Sequence, residues 1–306
     1  MALTKTDKIW MNGRLVPWDQ ATIHILSHVV HYGSCIFEGI RCYETARGPA
    51  IFRLQDHIRR MIDGCRIYRM ELPFTASEIE AAILATVRAN QMKSCYIRPL
   101  AYRGYNSLGV NPFPCPVDVA IAVWPWGAYL GEDALHKGVD VMVSSWRREA
   151  PNTLPAMAKA SANYMNSQLI KMEALVNGYA EGIALDSAGM VSEGSGENLF
   201  LVHGGTLQTP PISAAILPGI TRNTIRQLAA DLELPLVERD IPREMLYVAD
   251  EVFFVGTASE VTPIRSIDKI PIGNGARGEV TTRLQKEFLD LVNGRTDDHH
   301  HWLTML

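Results

Sequence analysis

Apolar and polar positions alternate along the chain in two textures. Short β-branched or aromatic runs broken by Gly and Pro are interleaved with segments whose apolar residues recur every three or four positions. Residues 54 to 69 place Leu54, Ile58, Met61, Cys65 and Tyr68 on one helical face. Residues 77 to 90 open with Ser77 and Glu80 at capping-box spacing and then bury Ile79, Ile83 and Val87. Val117 to Val123 and Val139 to Ser144 read as strands. A helix over 161 to 177 is expected to turn Met165, Leu169, Met172 and Val176 inward. Short strands follow at Gly182 to Asp186, Met190 to Ser192, Asn198 to Val202 and Thr206 to Thr209, with glycine turns at 187–189 and 203–205. A helix over 221 to 233 buries Ile225, Leu228 and Leu232. The strand Glu251 to Val255 comes next, and a last helix near 279 to 293 stops at Gly294.

This is a mixed α+β layout with antiparallel meanders, lacking the strict strand–helix alternation of a doubly wound fold. The segment 124–131 breaks the pattern with one Pro and two Gly. The expected organisation is therefore a small N-terminal α/β domain over 1–123, a connection over 124–135 and a larger domain over 136–306. A chain of 306 residues has length enough for two such cores. With 47% hydrophobic and 20% charged residues and a net charge of -4, it reads as a soluble globular protein. Nothing basic enough for nucleic acid or a membrane surface stands out. No apolar run approaches the roughly 20 residues of a membrane span, and residues 1–10 lack a signal-peptide core. Cysteines at 35, 42, 65, 95 and 115 are odd in number and show no C-x-x-C spacing. They point to reduced thiols in the cytoplasm, with neither a disulfide scaffold nor a metal site. His299 to His301 read as incidental surface histidines.

Candidate chemistry changes the picture at Lys159, the only charged side chain from Pro155 to Tyr164. Burial among small apolar neighbours disfavours the ammonium, and a neutral amine attacks an aldehyde, so this is a candidate Schiff-base lysine. The alternative is a lysine snorkelling from a helix start. A pyridoxal-phosphate site needs that lysine, an acid beside the ring nitrogen and a phosphate cup. Glu193, in Ser192-Glu193-Gly194-Ser195-Gly196-Glu197-Asn198, is the candidate acid, or else a solvated hairpin glutamate. Leu217-Pro218-Gly219-Ile220-Thr221 leads into a helix whose amides and dipole favour a dianion, with an ordinary Thr N-cap as the alternative. A second turn, Gly256-Thr257-Ala258-Ser259, ends a strand. Arg60 adds a charged donor, while Arg59 points about 100° away on the same helix. Tyr32, Phe37, Tyr96, Trp126 and Tyr129 are aromatics outside helical patterns, which wall a pocket or fill a core. Arg98, in a strand that reads as buried, holds a carboxylate or pairs with an internal acid.

These motifs, with Ser27-His28-Val29-Val30-His31-Tyr32-Gly33, Phe37-Glu38-Gly39-Ile40-Arg41, Tyr96-Ile97-Arg98-Pro99 and Pro125-Trp126-Gly127-Ala128-Tyr129, closely resemble the bacterial branched-chain amino acid aminotransferases. Those are fold-type IV pyridoxal-phosphate enzymes, and the likeness runs from Ile9 to about Gly294. It implies a small α/β domain plus a cofactor-binding domain with a pseudo-barrel of mixed strands, and pyridoxal 5′-phosphate as cofactor. It implies Lys159 as catalytic residue and Glu193 at the ring nitrogen, with Tyr164 at the ring 3-oxygen. Arg60, Ile220, Thr221 and Thr257 would hold the phosphate, and Gly196 and Leu217 would line the cofactor. Tyr96 with the amides of Thr257 and Ala258 would take the α-carboxylate. Phe37, Tyr32, Tyr129, Trp126, Gly39 and Val110 would surround the side chain, and Arg98 with Tyr32 would accept a distal carboxylate.

The implied reaction exchanges amino groups between leucine, isoleucine or valine and 2-oxoglutarate. Family members place the site between domains and at a dimer interface, with Val110 reaching in from the other subunit; many bacterial members form hexamers. The loop Arg103 to Pro116 is the least family-like part of the site region, and the chain after Gly294 matches nothing in the pattern. Within the same fold the alternatives are a D-amino acid aminotransferase or an aminodeoxychorismate lyase. The Tyr96-Ile97-Arg98-Pro99 segment argues against both. A protein that merely carries the cofactor is the non-enzymic alternative.

Overall fold

The computed structural model describes residues 3–127, 130 and 133–306. Its chain contacts form two compact units: residues up to Trp126 with Ala158–Ala162 and Leu291–Leu306, and residues Gly127–Met157 with Asn163–Asp290. The bodies expected from sequence are continuous stretches; the units are not, because the segment around Lys159 and the end of the chain both return to the first.

The first unit is an antiparallel sheet in the order Leu303–Met305, Gly48–Phe52, Ile40–Thr45, Cys95–Arg103, Val117–Trp124, Lys8–Met11, Arg14–Pro17, with Cys35–Phe37 also paired to Cys95–Arg103. Helix Leu54–Ile67 buries Leu54, Ile58, Met61 and Cys65, as its spacing predicts, and also His57 and Gly64. Helix Ala76–Ala89 buries Ile79, Ile83 and Val87. Its capping box lies two residues earlier than the expected Ser77 and Glu80. Thr75, in extended conformation, accepts from the Glu78 amide, and Glu78 reaches back to the Thr75 amide. Ser77 is already inside the helix and cannot cap it. The tail after Gly294 ends in an edge strand beside Gly48–Phe52, secured where Trp302 packs on Phe52 and under the Arg53 guanidinium.

In the second unit the strand order is Val191–Gly194, Glu181–Leu185, Val139–Arg147, Glu260–Ile267, Glu251–Gly256, Asn198–His203, Thr206–Thr209, Leu236–Glu238. Three of these pairings are parallel and the rest antiparallel, a mixed sheet. Helix Tyr164–Val176 corrects a sequence expectation. Its inward residues are Ser167, Ile170 and Ala174, whereas Met165, Met172 and Val176 are exposed and Leu169 is half-buried. The cause is close approach to the sheet. A Cβ on Gly182 would meet Ile170 at 2.7 Å and Ala174 at 3.7 Å, so only small or well-fitted side chains have room on that face. Among the described residues no helix is long and apolar enough to cross a membrane.

Candidate active site

Lys159 is fixed by the backbone before its side chain does anything. Its carbonyl accepts from the Phe37 amide at 3.0 Å, and Ala160 bridges to Ile36, so the segment docks along the strand Cys35–Phe37. It precedes the short 3-10 turn Ser161–Asn163 and does not snorkel from a helix. The residue is half-buried, with its amine 5.2 Å from the Phe37 ring centroid. Burial pulls its pKa down to about 8, with Arg60 and Arg98 acting in the same direction and Glu38 and Tyr96 opposing. At neutral pH an appreciable fraction of the amine is therefore the free base.

Arg98 also lies against Phe37, its guanidinium 4.7 Å from that ring centroid and 5.3 Å from the Tyr96 ring. Its polar contact is a long 3.4 Å bond to the Tyr96 hydroxyl, and its buried Nε makes none. Of the two sequence alternatives, an internal acid partner is not what the structure holds among the described residues. Tyr96 packs on Trp126 at 4.5 Å. Gly39 sits beneath the Tyr96 hydroxyl, where any Cβ would collide with it. The first unit thus brings together Lys159, Arg60, Phe37, Gly39, Tyr96, Arg98 and Trp126. Tyr32 is 44% exposed, its hydroxyl accepting from the Gly109 amide. Val110 is 89% exposed and stays outside this cluster. Ala128 and Tyr129 lie outside the described residues.

In the second unit Glu193 belongs to the strand Val191–Gly194 and is buried, which rules out a solvated turn. Oε1 meets Arg148 at 3.0 Å, and Oε2 accepts from Asn198 Nδ2 at 2.9 Å and from the Leu217 amide at 3.0 Å. Asn198 also donates to the Leu217 carbonyl, tying the acid to the loop before helix Ile220–Asp231. Gly219 is the N-cap of that helix and no side chain caps it; Thr221 is already helical and buried. An ordinary Thr cap is thus excluded, and the helix start keeps the dipole and amides that suit an anion. The Thr257–Ala258 turn follows the strand Glu251–Gly256, and Gly256 sits against Gly196 and Glu197. Gly196 is exposed, with open space where a side chain would be. Tyr164 is the half-buried first residue of its helix.

Sequence reasoning missed several partners. Glu38 and His57 surround Arg60. His57 was legible as a polar residue on the apolar face of an amphipathic helix, three positions before Arg60, whereas Glu38 lay inside a quoted motif without a role. So did Asn198. Arg148, which also pairs with Glu149 at 3.3 Å and donates to Asn166, carried no signal, since only the strand pairing brings it to Glu193. Glu197 is buried with one oxygen lacking a hydrogen bond. Burial, then the charge of Glu181, raises its pKa to about 8.

The sequence profile described as Amino-transferase class IV matches residues 35–267. The branched-chain-amino-acid aminotransferase of Salmonella typhimurium is 50% identical over 304 residues, covering 99% of this chain and 98% of the relative. That of Pseudomonas aeruginosa is 47% identical over 298 residues, covering 97% of each. Among solved structures, the Escherichia coli branched-chain amino acid aminotransferase gives a TM-score of 0.97 at 49% identity, covering 98% of this chain and 99% of that one. The branched-chain amino acid aminotransferase from Thermobaculum terrenum, solved in its PLP form, gives 0.91 at 38% identity, covering 98% of each chain. The chain belongs to the class IV amino-transferases and, within them, to the branched-chain-amino-acid aminotransferases.

Proposed function

We propose that the protein is a pyridoxal 5′-phosphate-dependent transaminase exchanging amino groups between L-leucine, L-isoleucine or L-valine and 2-oxoglutarate, with branched-chain 2-oxo acids and L-glutamate as products. One observation carries this reading. An amine whose pKa is lowered to about 8 lies beside an aromatic ring, and against the same ring lies an arginine without a carboxylate partner among the described residues. Rings suit an aliphatic side chain, and the guanidinium suits the distal carboxylate of glutamate.

The residues fit the cofactor. Glu193 is a fixed acid for a ring nitrogen. In the second unit the helix start after Gly219 and the Thr257 turn offer amides and a hydroxyl to a phosphate dianion; in the first unit Arg60 is the candidate cation. When bound, pyridoxal phosphate supplies an electron sink for the pair left at the substrate Cα. Lys159 Nζ takes the Cα proton, for which a pKa near 8 is well matched. Tyr164 would bond the ring 3-oxygen, and Ile220, Thr221, Gly196 and Leu217 would complete the cofactor's surroundings. For the α-carboxylate the candidate in the first unit is Tyr96, whose hydroxyl has room over Gly39; in the second unit the candidates are the Thr257 and Ala258 amides. Phe37 and Trp126 are the candidate walls for the side chain within the first unit, and the resemblance adds Tyr32, Tyr129 and, from a second protomer, Val110.

Incubating the holoprotein with L-leucine alone should release 4-methyl-2-oxopentanoate in stoichiometric amount, and 2-oxoglutarate should then restore turnover. If D-alanine or aminodeoxychorismate reacts and the three aliphatic L-amino acids do not, the substrate reading is overturned.

Two coarser readings accompany this one. The first unit serves as the small domain and the second as the cofactor-binding domain. A homodimer is the minimum assembly, with a hexamer as the larger alternative. In support, Ile25, Val30, Tyr105, Leu108, Val110 and Phe113 are all exposed, on two segments joined by hydrogen bonds from His28 to Gly104 and Gly109. Sedimentation at micromolar concentration that returns only monomer would refute it. All five cysteines are free and buried, which suits the cytoplasm.

A further inference from the structure

The first unit contains a buried charged cluster to which the proposed reaction assigns only Arg60. Glu38 is fully buried, and both of its oxygens are engaged. Arg60 Nε donates to Oε1 and Nη2 to Oε2, each at 2.7 Å, and His57 Nδ1 lies 2.8 Å from Oε2. His57 and Arg60 are three apart on helix Leu54–Ile67, so one face presents both to the same carboxylate. Burial by itself would raise the Glu38 pKa. The charge and hydrogen bonds of Arg60, with those of His57, prevail and hold it well below the usual carboxylate range. His57 is buried too, and burial lowers its pKa despite Glu38. A neutral imidazole donating from Nδ1 to an ionised carboxylate satisfies both groups.

A bidentate pair fixes a guanidinium in plane and rotation, where a lone arginine on a helix would sweep through many rotamers. The neighbouring residues are fixed as well. Phe37 is bonded to the Lys159 backbone, and Gly39 is confined beneath Tyr96. Glu38 therefore sits between two elements of the site and has an orientation of its own.

We propose that Glu38 is a positioning residue for the phosphate end of the cofactor site: its carboxylate clamps Arg60 at Nε and Nη2, and His57 locks the carboxylate in turn. The proposal rests on the reading of Arg60 as a phosphate ligand. Its signature is selectivity, because a clamp on Arg60 matters to a ligand carrying phosphate and not to one without. A merely structural ion pair affects both ligands alike.

The test titrates cofactor-free, full-length variants with pyridoxal 5′-phosphate and with pyridoxal, reading absorbance and fluorescence. Glu38→Gln is expected to weaken the phosphorylated ligand about tenfold to a hundredfold and to change pyridoxal by less than about twofold. Arg60→Lys should show the same selectivity, and the double variant should be no weaker than the worse single one. If Arg60→Lys is selective while Glu38→Gln weakens both ligands equally, or neither, the proposal fails and the phosphate reading stands. If Arg60→Lys changes neither ligand, both fall. Should Glu38→Gln not fold, His57→Gln carries the same comparison. A loss confined to the phosphorylated ligand supports the clamp, and an equal loss or none overturns it.

Discussion

Lys159 and Glu193 are the two groups on which the proposed reaction turns, and their surroundings are built on opposite plans. The lysine is docked by its backbone while its amine faces an aromatic ring, with burial and two guanidiniums depressing its pKa. The glutamate is over-determined at its side chain: a cation and two N–H donors meet its two oxygens. Glu197, four residues on in the same motif, receives one amide bond and has a pKa raised to about 8. A group that must gain and lose a proton needs a site that disfavours its charge. A group that must hold one charge in place needs donors around it.

That contrast can be broken by substitution, and the largest effect belongs to the amine. Lys159→Ala should lower kcat by about 10,000-fold or more; stopped-flow mixing of the variant with leucine should give no cofactor absorbance change on the wild-type timescale. Glu193→Gln removes a charge without removing bulk and should cost about 100- to 1,000-fold in kcat, with the cofactor still bound. Equal losses at the two positions would erase the distinction between them. Arg98→Met should lower kcat/KM for glutamate about tenfold to a hundredfold and leave leucine within about threefold. Measuring both substrates on one preparation checks it, and equal losses would remove Arg98 from the distal-carboxylate role.

The smallest effect sharpens the comparison through stability. The folded-state pKa of Lys159, about 8, lies below its ordinary value. The cost of burying its charge is thus fully present below pH 8 and fades as pH climbs toward the unfolded value. Lys159→Met in the cofactor-free protein should raise Tm by about 2 to 4 °C at pH 7, a gain that shrinks above pH 8. Thermal melts across that range measure it, and a gain independent of pH would mean the amine is not desolvated.

Two helices mark how far sequence reading reached. In Leu54–Ile67 the buried face follows from apolar spacing because four well-separated large side chains face a sheet with room for them. In Tyr164–Val176 the same rule selected the large residues and failed, since the sheet approaches closely at Gly182 and only Ser167, Ile170 and Ala174 fit. Periodicity reports which residues share a face; it does not report the distance to the neighbouring layer.

The site divides along the same line. Local chemistry marked Lys159 as an isolated cation, the helix start at Leu217 to Thr221 as a candidate for an anion, and Arg60 ahead of Arg59 as a candidate donor. Family membership, too, was readable from motif order. Tertiary structure alone joined Arg148 to Glu193, set Glu38 and His57 around Arg60, returned the chain's end to an edge strand, and left Arg98 without an acid among the described residues. Those outcomes depend on strand pairing and burial between residues far apart in the chain, where hydrogen bonds and desolvation act through distances that no local pattern encodes.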